Sequence, residues 1–225
     1  MVENKLGGLR NPPYLCIVIN KNNIKNMNST LKWLIPVGIL GLVVFSLFSW
    51  VIGINNTAVT LHQDTKGTWG NVESSYQRRN DLIGNLVSTV KGAADFEKST
   101  LTDVIEARAK ATSITIDPSK VTPAQLEAFQ KSQTGVSSAL SRLMVSVEKY
   151  PDLKANQNFQ NLMTELEGTE NRIKIARDRY NASVQPYNVY ILKIPNNLVT
   201  GFFGFKEMPY FKSDAGAEKA PVVKF

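Results

Sequence analysis

One histidine (His62) and one cysteine (Cys16) occur in 225 residues. That scarcity excludes His/Cys-rich metal sites, Cys–His catalysis and any disulfide within the chain. A site built from carboxylates alone remains open. Acidic groups are also few in the first quarter: residues 1–54 hold five basic groups and only Glu3 as an acid. Residues 55–225 are nearly balanced, with 21 basic and 18 acidic groups. The basic character therefore comes largely from the N-terminal part, and nucleic acid is not an expected partner. With 43% hydrophobic and 20% charged residues, the chain is too apolar for a disordered one.

From Leu31 to Ile54 the only charge is Lys32, in LKWLIPVGILGLVVFSLFSWVIGI. These 24 residues form a helix of roughly 36 Å, enough to cross a hydrocarbon core of about 30 Å. Trp33 and Trp50 stand near its ends, as interfacial aromatics do. Pro36 sits near its start, where a missing backbone donor costs least. A cleaved signal peptide would have a shorter apolar run and a small-residue site, which Asn56-Thr57-Ala58 matches poorly. A buried soluble helix of this length would carry polar residues. Lipid attachment is also disfavoured, because Cys16 precedes the run. Gly38 and Gly41 make no GxxxG, so no strong dimerisation signal is present.

Five Lys/Arg precede or open the run, whereas residues 55–73 have Lys66 alone. This asymmetry predicts a cytoplasmic N-terminus and an extracytoplasmic C-terminal part. Met27 directly precedes the run and is an alternative start, which would leave residues 1–26 untranslated.

Four later stretches repeat apolar positions in alternating steps of three and four. The first is Trp69, Val72, Tyr76, Arg79, Ile83, Leu86, Val90, and the second is Leu101, Val104, Arg108, Ala111. The third is Leu126, Phe129, Gln133, Val136, Leu140, Leu143, Val147, Tyr150. The fourth is Phe159, Leu162, Leu166, Thr169, Ile173, Ala176, Tyr180. This pattern is the seam of a left-handed bundle or coiled coil. Thr122-Pro123-Ala124-Gln125 is a capping box opening the third helix, and Pro151 closes it. Lys91-Gly92 allows a bend after the first helix, and Pro186 would kink or end the fourth near Gln185.

The predicted fold is all-α: an N-terminal transmembrane helix followed by an antiparallel four-helix bundle with long helices. The expected division is a short N-terminal segment (1–30), the span (31–54), the bundle (55–192), and an aromatic C-terminal segment with a polar tail (193–225).

Arg79, Arg108, Gln133 and Thr169 are polar residues at seam positions. In the ordinary arrangement, each Arg buries its stem and lifts its head to the rim. Two alternatives remain: a buried polar layer that fixes register, with Glu106 or Glu170 as carboxylate partners, and a ligand or catalytic site. Arg172, Lys174, Arg177 and Arg179 scatter around a helix and read as a solvated face. His62 reads as an interfacial or rim residue, and the sequons at Asn28, Asn55 and Asn181 matter only in a glycosylating host.

The stretch PNNLVTGFFGFKEMPYF (195–211) is too apolar for a free tail. Docking on the bundle is the favoured expectation, with Phe202, Phe203 and Phe205 each at least half buried. A membrane-surface contact and a partner-binding patch are the other readings. Residues 212–225 read as a loose polar tail.

The segment WGNVESSYQRRNDLIGNLVSTVKGAADFEKSTLTDVIEARAKA closely resembles the LemA family of bacterial membrane proteins. So do YPDLKANQNFQNLMTELEGTENRIKIARDRYN and PNNLVTGFFGF. With the preceding span, the resemblance covers roughly residues 30–212. It departs at Gly84, where the family pattern has Pro; either residue weakens a helix, so a local bend is expected. The resemblance implies one N-terminal span and a soluble helical bundle. It supplies no catalytic residue, metal or cofactor.

The favoured function is a membrane-anchored, non-enzymatic interaction or scaffold module of the bacterial envelope. Its expected partners are membrane lipid along 31–54 and other envelope proteins, and it could self-associate. The alternative is a ligand sensor or enzyme built on the polar layer around Arg79 and Arg108.

Overall fold

The computed structural model describes residues 29–92 and 96–212, with side chains from residue 32 onward. Residues 1–28, including Cys16, Met27 and the Asn28 sequon, lie outside the described residues, as does the tail from 213. Every element among the described residues is helical: α1 (Ser29–Lys91), α2 (Lys98–Thr112), α3 (Pro123–Val147), α4 (Pro151–Ala155), α5 (Gln157–Leu192) and α6 (Asn196–Phe202). The chain divides into two units, residues 1–50 and 51–225.

In the first unit the described residues belong to α1. Leu34, Ile39, Leu40, Leu42, Phe45 and Phe48 are all exposed there. Among the described residues, α1 is the one helix long and apolar enough to cross a membrane. Exposing so many large apolar groups to water would be strongly unfavourable, whereas lipid solvates them.

The second unit is built from the seams. Every listed position of the first seam is buried, from Trp69 to Val90. In the third seam Leu140 and Tyr150 are only partly buried, and in the fourth Leu162. Contacts fix the direction of two helix pairs. Arg78 meets Glu165, Arg79 meets Glu170 and Thr68 meets Ser183, so α1 and α5 run antiparallel. Ser146 meets Glu97 and Arg142 meets Asp103, so α2 and α3 do too.

The core has two clusters. One is aromatic: Trp69, Tyr76, Phe129, Tyr180, Tyr187, Met208 and Phe211 are among its members. The other is mainly aliphatic, with Ile83, Leu86, Val90, Val104, Val136, Leu143 and Leu166. Each of α1, α3 and α5 passes from one cluster to the other through a polar seam residue: Arg79, Gln133 and Thr169 respectively.

Local chemistry sets the helix ends. Thr122 Oγ1 accepts from the Gln125 amide (3.2 Å), and Gln125 Oε1 accepts from the Thr122 amide (2.9 Å). This is the reciprocal capping box, with Pro123 at the first position. Thr122→Ala should cost about 1 kcal/mol in a denaturant titration of the detergent-solubilised chain. An unchanged midpoint would mean that α3 starts without help from its cap. Asn156 caps α5 by accepting from the Asn158 and Phe159 amides.

Two expectations, at Pro186 and Lys212, are corrected. Pro186 does not end its helix, because α5 continues to Leu192. Its side chain is exposed, while Val184, Tyr187, Asn188 and Ile191 around it are buried. Packing on that face holds the helix across the missing donor. Around Gly84, α1 stays helical through to Lys91, and the Arg108 guanidinium lies 3.4 Å, ordinary van der Waals contact, from where a Cβ would stand. Lys212 does not begin a loose tail, since its carbonyl accepts from Gln130 (2.6 Å) and Arg177 (2.7 Å).

Candidate functional site

The polar layer forms around Arg79. Its side chain is 2% exposed, so its head is inside the unit and not at the rim. One terminal nitrogen donates to Glu170 Oε2 (3.0 Å) and Ser137 Oγ (3.2 Å). The other donates to Gln133 Oε1 and the Gln133 carbonyl. The guanidinium also lies over the Tyr76 ring, 5.1 Å from its centre. Three helices thus meet through one side chain: α1 supplies the cation, α3 the amide and hydroxyl, and α5 the carboxylate.

Glu170 is 58% exposed on its side chain, so the ion pair has one wet end. That geometry lets the carboxylate stay hydrated while it neutralises a buried cation. Glu106, the other candidate carboxylate, is exposed on α2. Thr169 is buried, and its hydroxyl turns back to the Glu165 carbonyl at 2.8 Å. Arg108 stands one step away, with Nε donating to the Asn80 carbonyl at 2.8 Å. Arg79, Gln133 and Glu170 are therefore brought into one network, while Arg108 braces α2 against α1.

A cavity of about 250 Å³ adjoins the layer, lined by Trp69, Glu73, Tyr76, Asn80, Phe129 and Gln133 among others. Asn80 is buried, and its Oδ1 has no hydrogen-bond partner. A second cavity of about 710 Å³ is lined by His62, Tyr187, Phe203, Phe205, Lys120 and Lys206 with others. His62 packs against Tyr187 (5.6 Å between ring centres) and Phe205 (6.1 Å). Burial, with Lys66 nearby, lowers its pKa below the ordinary value, and Asp117 opposes this weakly.

The C-terminal segment docks with Phe205 more than half buried, as expected, and Phe203 at the limit, but Phe202 is not buried. Phe202 is 86% exposed and Phe203 50%. Phe205 is partly buried against the aromatic cluster. The buried anchors are Met208 and Phe211. Phe211 stacks on Trp69 at 5.7 Å and 6°, meets Tyr180 edge-on, and carries the Arg177 guanidinium over its ring. Arg177 thus leaves the solvated face assigned to its charge run, whereas Arg172, Lys174 and Arg179 are exposed.

Two asparagines that sequence reasoning missed hold the segment in register. Asn188 accepts from the Met208 amide (2.9 Å) and donates to the Met208 carbonyl (2.8 Å). Asn181 does the same for Phe211, at 2.9 Å and 3.0 Å. Seven helical residues rise about 10.5 Å, and three extended residues span about 10 Å. The two rungs therefore match an extended segment running antiparallel to α5. The signal was present as the Asn181/Asn188 heptad spacing, each asparagine directly following a seam tyrosine, Tyr180 or Tyr187.

The LemA family profile matches residues 68–225, which include the polar layer and the docked segment. The chain belongs to the LemA family. MamQ 2, a magnetosome protein of Paramagnetospirillum magneticum, is 29% identical over 211 residues, covering 84% of this chain and 75% of the relative. MamQ of Magnetospirillum gryphiswaldense is 29% identical over 199 residues, covering 79% and 71%. Protein LemA of Metamycoplasma hominis is 25% identical over 182 residues, covering 77% and 80%.

Proposed function

We propose that this LemA-family chain is a single-pass protein of a bacterial envelope membrane that acts without catalysis, as an interaction or scaffold module. Residues 55–225 stand on the extracytoplasmic side as an antiparallel four-helix bundle, and their partners are other envelope proteins rather than nucleic acid. The observation that carries this reading is the state of Arg79. Both terminal nitrogens of Arg79, the most deeply buried cation among the described residues, are committed to Glu170, Gln133 and Ser137, with Nε alone lacking a partner, so the layer serves register. The exposed apolar α1 segment supports the anchor, and the Lys/Arg asymmetry supports the orientation. Family membership and the similarity to MamQ proteins support a membrane setting.

The second reading is a ligand sensor, favoured by the unpartnered Asn80 Oδ1 on the 250 Å³ cavity. Crosslinking in intact membranes separates the two. The full chain should capture a reproducible set of envelope proteins that a chain ending after residue 60 does not. The Arg79→Met chain, once shown to melt cooperatively, should capture the same set. Loss of the set in a folded Arg79→Met chain would favour the sensor, and identical capture by the truncated chain would overturn the scaffold reading.

A further inference from the structure

The exposed large apolar residues of the second unit concentrate in one short stretch. Val189, Leu192, Ile194, Leu198, Phe202 and Phe203 are all at least half exposed, within fifteen consecutive residues. On α6, Leu198 and Phe202 are four apart and share one face. Thr200, on the opposite side, is buried and donates to the Ile191 carbonyl at 3.0 Å. The one fully buried side chain of α6 is thus polar and satisfied, whereas its outward side carries Leu198 and Phe202. A short helix that turns its apolar face away from its own core is shaped for a nonaqueous neighbour.

The position of this face identifies that neighbour. The Tyr190 hydroxyl donates to the Ile54 carbonyl at 3.4 Å, and both residues lie in the unit 51–225. Ile54 is the last residue of the apolar run. The end of α5, and α6 after it, are therefore held at the level where the proposed span leaves the hydrocarbon. The apolar stretch 189–203 carries one charge, Lys193, and is followed by Lys206 beside Glu207. Cations bordering an apolar face suit an anionic bilayer surface.

We infer that α6 and the residues around it lie in the headgroup–acyl boundary of the membrane crossed by residues 31–54. Leu198, Phe202 and Phe203 enter the bilayer surface, and Lys193 and Lys206 meet anionic headgroups. The inference rests on the proposed span, and the test keeps the two apart.

The full chain carrying Cys16→Ser is given one cysteine, at Phe202→Cys or at Val145→Cys. Val145 is 71% exposed on α3, whose neighbours Leu143 and Val147 pack with Val90 in the aliphatic cluster. That end is on the order of 50 Å along α1 from Ile54. Each cysteine is labelled with an environment-sensitive fluorophore in vesicles of phosphatidylcholine and phosphatidylglycerol. Retention in the pellet after carbonate extraction confirms the span independently. The probe at 202 should emit to the blue of the probe at 145, be quenched by nitroxide on lipid acyl chains, and resist aqueous iodide several-fold better. Equal iodide quenching at both positions, with the chain still carbonate-resistant, would overturn the surface contact alone. Blue emission without nitroxide quenching would assign the face to a protein neighbour and also overturn it. Carbonate release would overturn the span and the contact together.

Discussion

Replacing Phe211 by alanine should lower the unfolding free energy of the detergent-solubilised chain by about 3–5 kcal/mol, whereas Phe202→Ala should change it by less than about 0.5 kcal/mol. Both are phenylalanines of the same apolar segment, yet Phe211 is 5% exposed and Phe202 86%. Removing the Phe211 ring leaves a hole between Trp69, Tyr180 and Arg177, and those flat side chains cannot all collapse into it. Truncation after Ile194 removes Met208 and both asparagine rungs as well, so it should cost at least as much. The truncated chain should also self-associate more, because the aromatic cluster loses its cover. Asn188→Ala is the finer probe: it strands the buried Met208 amide and carbonyl, worth about 1–3 kcal/mol. Denaturant titration followed by near-ultraviolet circular dichroism reports all of these. Similar losses for Phe211→Ala and Phe202→Ala would contradict the docking geometry.

The second large effect is at Arg79. Arg79→Ala should destabilise by about 3–5 kcal/mol, since it opens a cavity and orphans the buried Gln133 side chain. Arg79→Met keeps much of the volume and should cost less. Adding Gln133→Leu to Arg79→Met removes the stranded amide and should recover part of the loss. Glu170→Gln should be milder than Arg79→Ala, because Glu170 is largely hydrated and Arg79 keeps Gln133 and Ser137. The same titrations measure these variants. Strict additivity of Arg79→Met and Gln133→Leu would mean that the two side chains do not form one layer.

The helical seams were legible because burial in a bundle repeats every three or four residues, and the first seam from Trp69 to Val90 is buried as read. The capping box at Thr122 was legible because its two bonds are local. Arg79 was harder. A seam arginine usually lifts its head to solvent, and its burial depends on Gln133 and Glu170 arriving from helices 54 and 91 residues away. The docked segment was half legible. Its apolar content demanded a cover, but composition could not separate Phe211, which stacks on Trp69, from Phe202, which turns away from the core. The asparagine rungs were hidden for a similar reason: Asn181 and Asn188 find their partners only when the extended C-terminal segment lies along α5.

The central claim is an anchored body on the extracytoplasmic side. The most direct measurement places a single cysteine at Val145, which is 71% exposed, in the Cys16→Ser chain and treats cells with a membrane-impermeant maleimide. Spheroplasts replace cells where an outer membrane would block the reagent. Labelling should be complete before lysis and unchanged after it. Labelling that begins only after lysis would put residues 55–225 in the cytoplasm and contradict the account.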